Sequence, residues 1–156
     1  MGDYHYRPIR AGEEASVCEL IARVFDAFVA PHYADEGVAE FDSYANPEAL
    51  RERLARNHRM LVATLAEEIV GVLELRNHEH VSLLFVEAKH QGEGVGRALL
   101  TRGLALCRAH NPTLEEVTVN ASPNAVDAYR RLGFQILGAE QVKHGIRYQP
   151  MTLKLR

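Results

Sequence analysis

A chain of 156 residues with 47% apolar and 25% charged residues has the length and composition of one globular domain with a sizeable core. Its net charge of −3 argues against nucleic acid or an anionic membrane as main partner, and no apolar run approaches the roughly 18 residues of a membrane span. Cys18 and Cys107, the two cysteines, form no C-x-x-C pair and fall on apolar helix faces, so they read as free thiols in a reducing cytoplasm.

The first element in the chain is a short strand at 4–9, ended by the turn at Arg10-Ala11-Gly12. No apolar segment of the signal-peptide kind precedes it, and Met1-Gly2 makes only a superficial myristoylation match, since position 6 is Tyr6. Val17, Leu20, Ile21, Val24, Phe25 and Phe28 recur at helical spacing, which predicts an amphipathic helix over about 13–29, stopped by Pro31. Residues 32–44 are polar with scattered aromatics and predict a loop holding one short helix near 37–43. Asn46 as cap and Pro47 at the first position predict a helix over 47–57.

Residues 59–65 and 69–75 predict two strands joined by Ala66-Glu67-Glu68, and 77–80 form the next turn. The run VSLLFV (81–86) is short and β-rich, so it predicts a buried strand, the third of an antiparallel meander. QGEGVG (91–96) follows, and then Leu99, Leu100, Gly103, Leu106 and Cys107 mark one face of a helix over 95–110. Strand, glycine-rich turn and helix together make an anion-binding device. The first N–H groups of a helix lack internal partners, the dipole makes that end positive, and glycines let a phosphate approach. The spacing G-E-G-V-G is not the dinucleotide pattern G-x-G-x-x-G, and no Gly-Lys-Ser/Thr of a P-loop exists.

VTVNA (117–121) predicts a second buried strand, parallel to 81–86 because a helix carries the chain back across the sheet. In SPNAVDAYRRLGF (122–134), Ser122 suits an N-cap, Pro123 the first helical position and Gly133 the residue after the end. Ala125, Ala128, Tyr129 and Leu132 share one face of that helix, so Tyr129 points inward; on that feature alone it is a core tyrosine with a hydrogen-bonded hydroxyl. The tail predicts two more strands, about 135–143 and 147–155, bent at His144-Gly145, with Met151, Leu153 and Leu155 inward.

Gln91-x-x-Gly94-x-Gly96 directly after a strand, followed by Asn120, Asn124-Ala125, Tyr129 and Leu132-Gly133-Phe134, resembles the GCN5-related N-acetyltransferase (GNAT) superfamily. The similarity covers roughly 60–140. It implies one α+β domain over 1–156 with a mixed, mostly antiparallel sheet of about six or seven strands flanked by about four helices. Strands 81–86 and 117–121 are then expected to splay apart. It implies acetyl-CoA as co-substrate, its arm pairing with the backbone of Leu84, Phe85 and Val86. Its diphosphate rests on the N–H groups of Gly92, Glu93, Gly94, Val95, Gly96 and Arg97 in the loop that Gln91 opens, Asn120 and Asn124 hold the pantetheine amides, and Ala125 joins them as a cofactor-binding residue. The acceptor is a small-molecule or peptide amine that attacks directly, lined in that family by the helices before residue 57. A homodimer is left open.

Tyr129 would then protonate the departing thiolate. Relatives often place a glutamate on the strand matching 81–86, and VSLLFV has none; Glu74 and His80 are the nearest candidates for a base. Tyr148 is the candidate aromatic beside the acceptor, or simply an edge-strand residue. The eight histidines show no metal-ligand spacing. Two other classes stay open on the sequence: a non-catalytic acyl-CoA-binding regulator, and a nucleotide-binding module built on the glycine loop.

Overall fold

Two of the sheet's hairpins turn on residues with left-handed backbone where no glycine stands. In this computed structural model, which describes residues 3–155, Ala66 and Glu67 (φ 49° and 69°) join β2 (His58–Leu65) to β3 (Glu68–Arg76). Asn77 and His78 (both φ 54°) lead from β3 to β4 (His80–Val86). Positive φ at both central residues matches the right-handed twist of the flanking strands, which is why such turns close hairpins. The Met1-Gly2 lipidation match lies outside the described residues.

With β1 (His5–Pro8), β5 (Glu116–Ala121), β6 (Gln135–Ile136), β7 (Gln141–Lys143) and β8 (Ile146–Lys154), these strands form one eight-stranded sheet. Its order is β1-β2-β3-β4-β5-β8-β6, with β7 on β8. All pairings are antiparallel except β4 with β5. Five α-helices flank it: α1 (Glu14–Val24), α2 (Asp35–Tyr44), α3 (Pro47–Leu54), α4 (Val95–His110) and α5 (Val126–Arg131). The fold is therefore α+β with a mixed, mostly antiparallel sheet, eight strands where about six or seven are expected and five α-helices where about four are expected.

Strand alternation divides the core in two. On one face Leu73 and Leu75 of β3 pack with Leu99, Leu100 and Cys107 of α4 and with Tyr129 and Phe134. On the other, Val62 and Val72 pack with Val17, Leu20 and Ile21 of α1 and Leu50 of α3. Each such side chain removed from water contributes about 1.5–3 kcal/mol before entropy is counted. Leu106, expected on the inner face of α4, is instead 39% exposed.

The feature that shapes the site is a bulge. Glu74 pairs with Leu83 but Leu75 pairs with Val81, so Ser82 is an extra residue of β4 and the strand bends there. Parallel pairing of β4 with β5 is confined to His80–Thr118 and Val81–Val119. Beyond it the strands diverge.

Four predicted elements differ in detail. The first helix ends as α-helix at Val24 and continues as a π-helical turn, Phe25–Val29, then a 3-10 turn that contains Pro31. The short helix expected near 37–43 within a loop is α2, longer at both ends (Asp35–Tyr44) and seated by the stacking of Phe41 on Phe25 (3.9 Å between centroids) and by Gly37 against Gly145. The Ser122 hydroxyl bonds Asn124 Oδ1 and caps nothing, so Pro123–Ala125 is a 3-10 turn and α5 is short. The strand expected at 135–143 is broken in two around Gly138 (φ 79°). Of the alternating residues in β8, Met151 is fully buried, and Leu153 is only half-buried.

Candidate active site

The divergence of β4 from β5 opens a cleft of about 540 Å³. Its β4 wall is Leu84, Phe85 and Val86. Glu87 N–H bonds Val70 C=O, and the register runs Val72–Phe85, Leu73–Leu84, Gly71–Val86. Hydrogen-bonded pairs alternate in an antiparallel ladder, so Phe85 bonds back to β3 while the N–H and C=O groups of Leu84 and Val86 point into the gap. The Gln91 side-chain amide occupies one of these, donating to Val86 C=O at 3.0 Å. That bond also folds the following loop under the strand.

Gln91, Gly92, Gly94, Val95, Gly96 and Arg97 continue the cleft wall. Gly92 and Gly94 have φ of 81° and 83°, which L side chains resist, and the space before each is open. The first internal bond of α4 is Ala98 N–H to Gly94 C=O, so the N–H groups of Val95, Gly96 and Arg97 have no helical partner. No acidic residue sits in that first turn. Left-handed glycines, free donors and a positive helix end fit the diphosphate of acyl-CoA, and the open edge of β4 fits an extended amide-bearing arm. Arg97 reaches across the cleft to donate to Arg131 C=O at 2.9 Å. Glu93 is not on the wall, although both neighbouring glycines are; its carboxylate accepts from Tyr4.

The opposite wall comes from the β5–α5 segment: Ser122, Asn124, Ala125 and Tyr129. Asn120 is exposed on β5 and does not line the cleft, because it alternates with the inward-facing Val119 and Ala121. The Tyr129 ring packs edge-on to Phe134 (5.3 Å) and is 7% exposed. Its hydroxyl makes no hydrogen bond among the described residues and is not sealed from the cleft. A core tyrosine would have its hydroxyl bonded. Burial raises its pKa above the ordinary tyrosine value, so the phenol keeps its proton at neutral pH.

Glu74 lies elsewhere. It alternates with Leu73 and Leu75 and so faces the α1–α3 side of the sheet, opposite Tyr129. It is wholly buried, and Arg53 donates to both of its oxygens (2.8 and 3.1 Å) while His58 Nδ1 stands 2.5 Å from one of them. Arg53 also bonds Tyr44 C=O and lies 3.6 Å over the Tyr44 ring. His80 is buried with Nδ1 2.7 Å from Thr118 Oγ1, and burial pushes its pKa down to about 4. Tyr148 bonds Gln141 within the β7–β8 hairpin. None of these three lines the cleft, and among its lining residues there is no carboxylate. No group of three or more ligand-type side chains among the described residues is placed to hold a metal, and no helix is long and apolar enough to cross a membrane.

Sequence patterns missed one wall segment. Val24 from the last turn of α1, and Phe28 and Val29 from the π-helical turn, line the cleft, and apolar spacing alone cannot distinguish a π from an α turn.

Comparison with known proteins agrees with this geometry. Residues 29–155 match the family profile "Acetyltransferase (GNAT) domain". The chain is 24% identical over 143 residues, 92% of its length and 89% of the relative's, to the uncharacterized N-acetyltransferase YafP of Escherichia coli. Its fold is similar to that of a GCN5-related N-acetyltransferase from Rhodopseudomonas palustris (TM-score 0.85, 23% identity, 99% and 98% of the two chains). It is also similar to the PaiA N-acetyltransferase of Thermoplasma acidophilum, solved with coenzyme A (TM-score 0.82, 15% identity, 97% and 99%). The splayed sheet, the glycine loop and the matched profile place this chain in the GNAT family of N-acetyltransferases, whose acetyl donor is acetyl-CoA.

Proposed function

We propose that the chain transfers acetyl from acetyl-CoA to a primary amine by direct attack, with Tyr129 as the proton donor to the departing thiolate. The observation that carries the proposal is the unpartnered Tyr129 hydroxyl in the cleft, across from the open backbone edge of Leu84 and Val86. Bound acetyl-CoA supplies an activated thioester carbonyl. The protein's part is to hold it: N–H groups of residues 92–97 on the diphosphate, Leu84 and Val86 along the arm, and Asn124 and Ala125 on its amides. Tyr129 stays protonated until a neighbouring thiolate forms, and burial that raises its own pKa raises that of the sulfur too.

Both oxygens of Glu74 are committed to Arg53 and His58, so Glu74 is assigned to fixing α3 and the end of α2 on the sheet rather than to taking the amine's proton. Proton removal then falls to water at the cleft mouth. The acceptor is a small-molecule or peptide amine. A cytoplasmic setting keeps the buried thiols of Cys18 and Cys107 reduced.

The test is turnover of acetyl-CoA against a panel of polyamines, lysine peptides, aminoglycosides and amino metabolites, read as free thiol. Release with one amine class identifies the acceptor. Tight CoA binding with no thiol released by any amine would sink the catalytic proposal and leave an acyl-CoA-binding module.

A further inference from the structure

We infer that Tyr4, outside the cleft, is a positioning residue for the diphosphate-binding loop, holding the loop closed and drawing the Glu93 carboxylate away from the bound diphosphate. The inference rests on the cleft being an acyl-CoA site as proposed above.

The Tyr4 hydroxyl lies 2.8 Å from Glu93 Oε1 and 2.9 Å from His90 Nδ1. A carboxylate only accepts, and a phenol has one proton, so that proton goes to Glu93 and the His90 ring nitrogen must donate to the phenol oxygen. The chain of bonds His90–Tyr4–Glu93 therefore bridges the two ends of the loop from just before β1. The Tyr4 ring also stands edge-on to His90 at 5.7 Å and packs on the α4-side core. His90 itself lines the cleft.

The loop needs such an anchor. It contains two left-handed glycines, whose freedom in the unbound state would have to be frozen on binding. It also carries an acid between them. Gly92 and Gly94 face the cleft, so a Glu93 side chain free to rotate would bring negative charge to the place where a diphosphate must sit. Like charges a few ångströms apart cost affinity in proportion to how little water screens them. The Tyr4 bond turns that carboxylate outward.

The experiment compares wild type, Tyr4→Phe and Tyr4→Phe/Glu93→Gln by titration calorimetry with CoA and with pantetheine, which lacks the diphosphate, and by steady-state kinetics. Tyr4→Phe keeps the ring in its packing. It is expected to raise the CoA Kd and the acetyl-CoA KM by roughly three- to tenfold, the range for one lost hydrogen bond. The kcat, the amine KM and pantetheine binding should stay as in wild type. Raising the salt concentration should narrow the gap, and the double variant should regain part of the lost affinity. An unchanged CoA Kd in Tyr4→Phe, an equal loss for pantetheine, or a double variant no better than the single one would each overturn the inference. Wild type failing to bind CoA would instead overturn the cleft assignment on which it rests.

Discussion

A tyrosine and a histidine show how burial sets chemistry in this protein. Tyr129 lies among apolar side chains with its hydroxyl turned to the cleft, so replacing it by phenylalanine removes one oxygen and little packing. Tyr129→Phe should lower kcat by roughly a hundredfold, the low end of general acid catalysis, with CoA affinity nearly intact. Steady-state rates beside calorimetric Kd values check this, and a loss of CoA binding with kcat retained would make Tyr129 a packing residue. His80 is the opposite case, a buried ring whose charge the fold refuses. Desolvation first, then the charges of Arg76 and His58, push its pKa down to about 4. The unfolded chain titrates near the ordinary value of about 6.5. Between those values the unfolded chain binds a proton that the folded chain does not, so His80's contribution is whole above pH 6.5 and is lost as pH falls toward 4. A difference of that size corresponds to about 3 kcal/mol. His58, also lowered mainly by desolvation, adds loss of the same sign. Glu13, held down to about 2 chiefly by its hydrogen bond with Arg7, acts in the separate window below pH 4.5. Urea midpoints measured at pH 7.5, 5.5 and 4.5 should fall steadily, and His80→Asn should flatten the slope; equal slopes would remove His80 from the account.

Elements whose form is set locally were legible in the sequence, and elements set by distant contacts were not. The run from β3 through β4, the glycine loop and α4 to β5 follows from β-rich apolar runs, a glycine turn and helical spacing, and each lies within two residues of its predicted place. The residues of α2 predict only a short helix near 37–43 inside a loop, and its full extent was not legible, since its ten residues are mainly acidic or small and Gly37 alone is buried. Its helix is held by contacts with Phe25 and Gly145, far away in sequence. The glycine loop and Tyr129 were readable for the same reason as the elements that carry them. That Glu74 stands off the cleft wall was not legible, because which face of β3 it occupies, and its capture by Arg53, depend on α3 packing beneath the sheet. A tight approach between α4 and the sheet was not legible either. A Cβ on Gly103 of α4 would lie 2.4 Å from Leu73 Cδ2, and Leu73 is fully buried in the core between α4 and the sheet, so neighbouring side chains must shift with it. Gly103→Ala should therefore destabilise the protein by about 1–3 kcal/mol through overpacking, despite the roughly 1 kcal/mol that alanine gains over glycine in helix propensity. Denaturant unfolding measures it, and a variant as stable as wild type would mean that α4 can lift off β3 at little cost.

For the whole molecule the decisive fact is that its sheet is left open where the ligand belongs. Beyond Val81 the β4 backbone pairs with another strand on one side only, and the helix that follows begins with N–H groups that have no helical partner. The net charge of −3 gives an anionic ligand no long-range attraction, so recognition must come from these local donors. A ligand that fills the gap binds the folded chain alone and stabilises it by mass action. CoA at a hundred times its Kd should add about 2.7 kcal/mol. For a chain of this size that is a rise of roughly 5–10 °C in Tm. Pantetheine should stabilise less at equal concentration, since it pairs with β4 and leaves the glycine loop empty. ATP and NAD should leave Tm unchanged, because Gln91-x-x-Gly94-x-Gly96 has neither the lysine of a P-loop nor the third glycine position of a dinucleotide turn. Thermal shift with the four compounds separates the cases. A rise with ATP equal to that with CoA would show that the loop recognises phosphate alone and that the splayed strands contribute nothing to the choice of ligand.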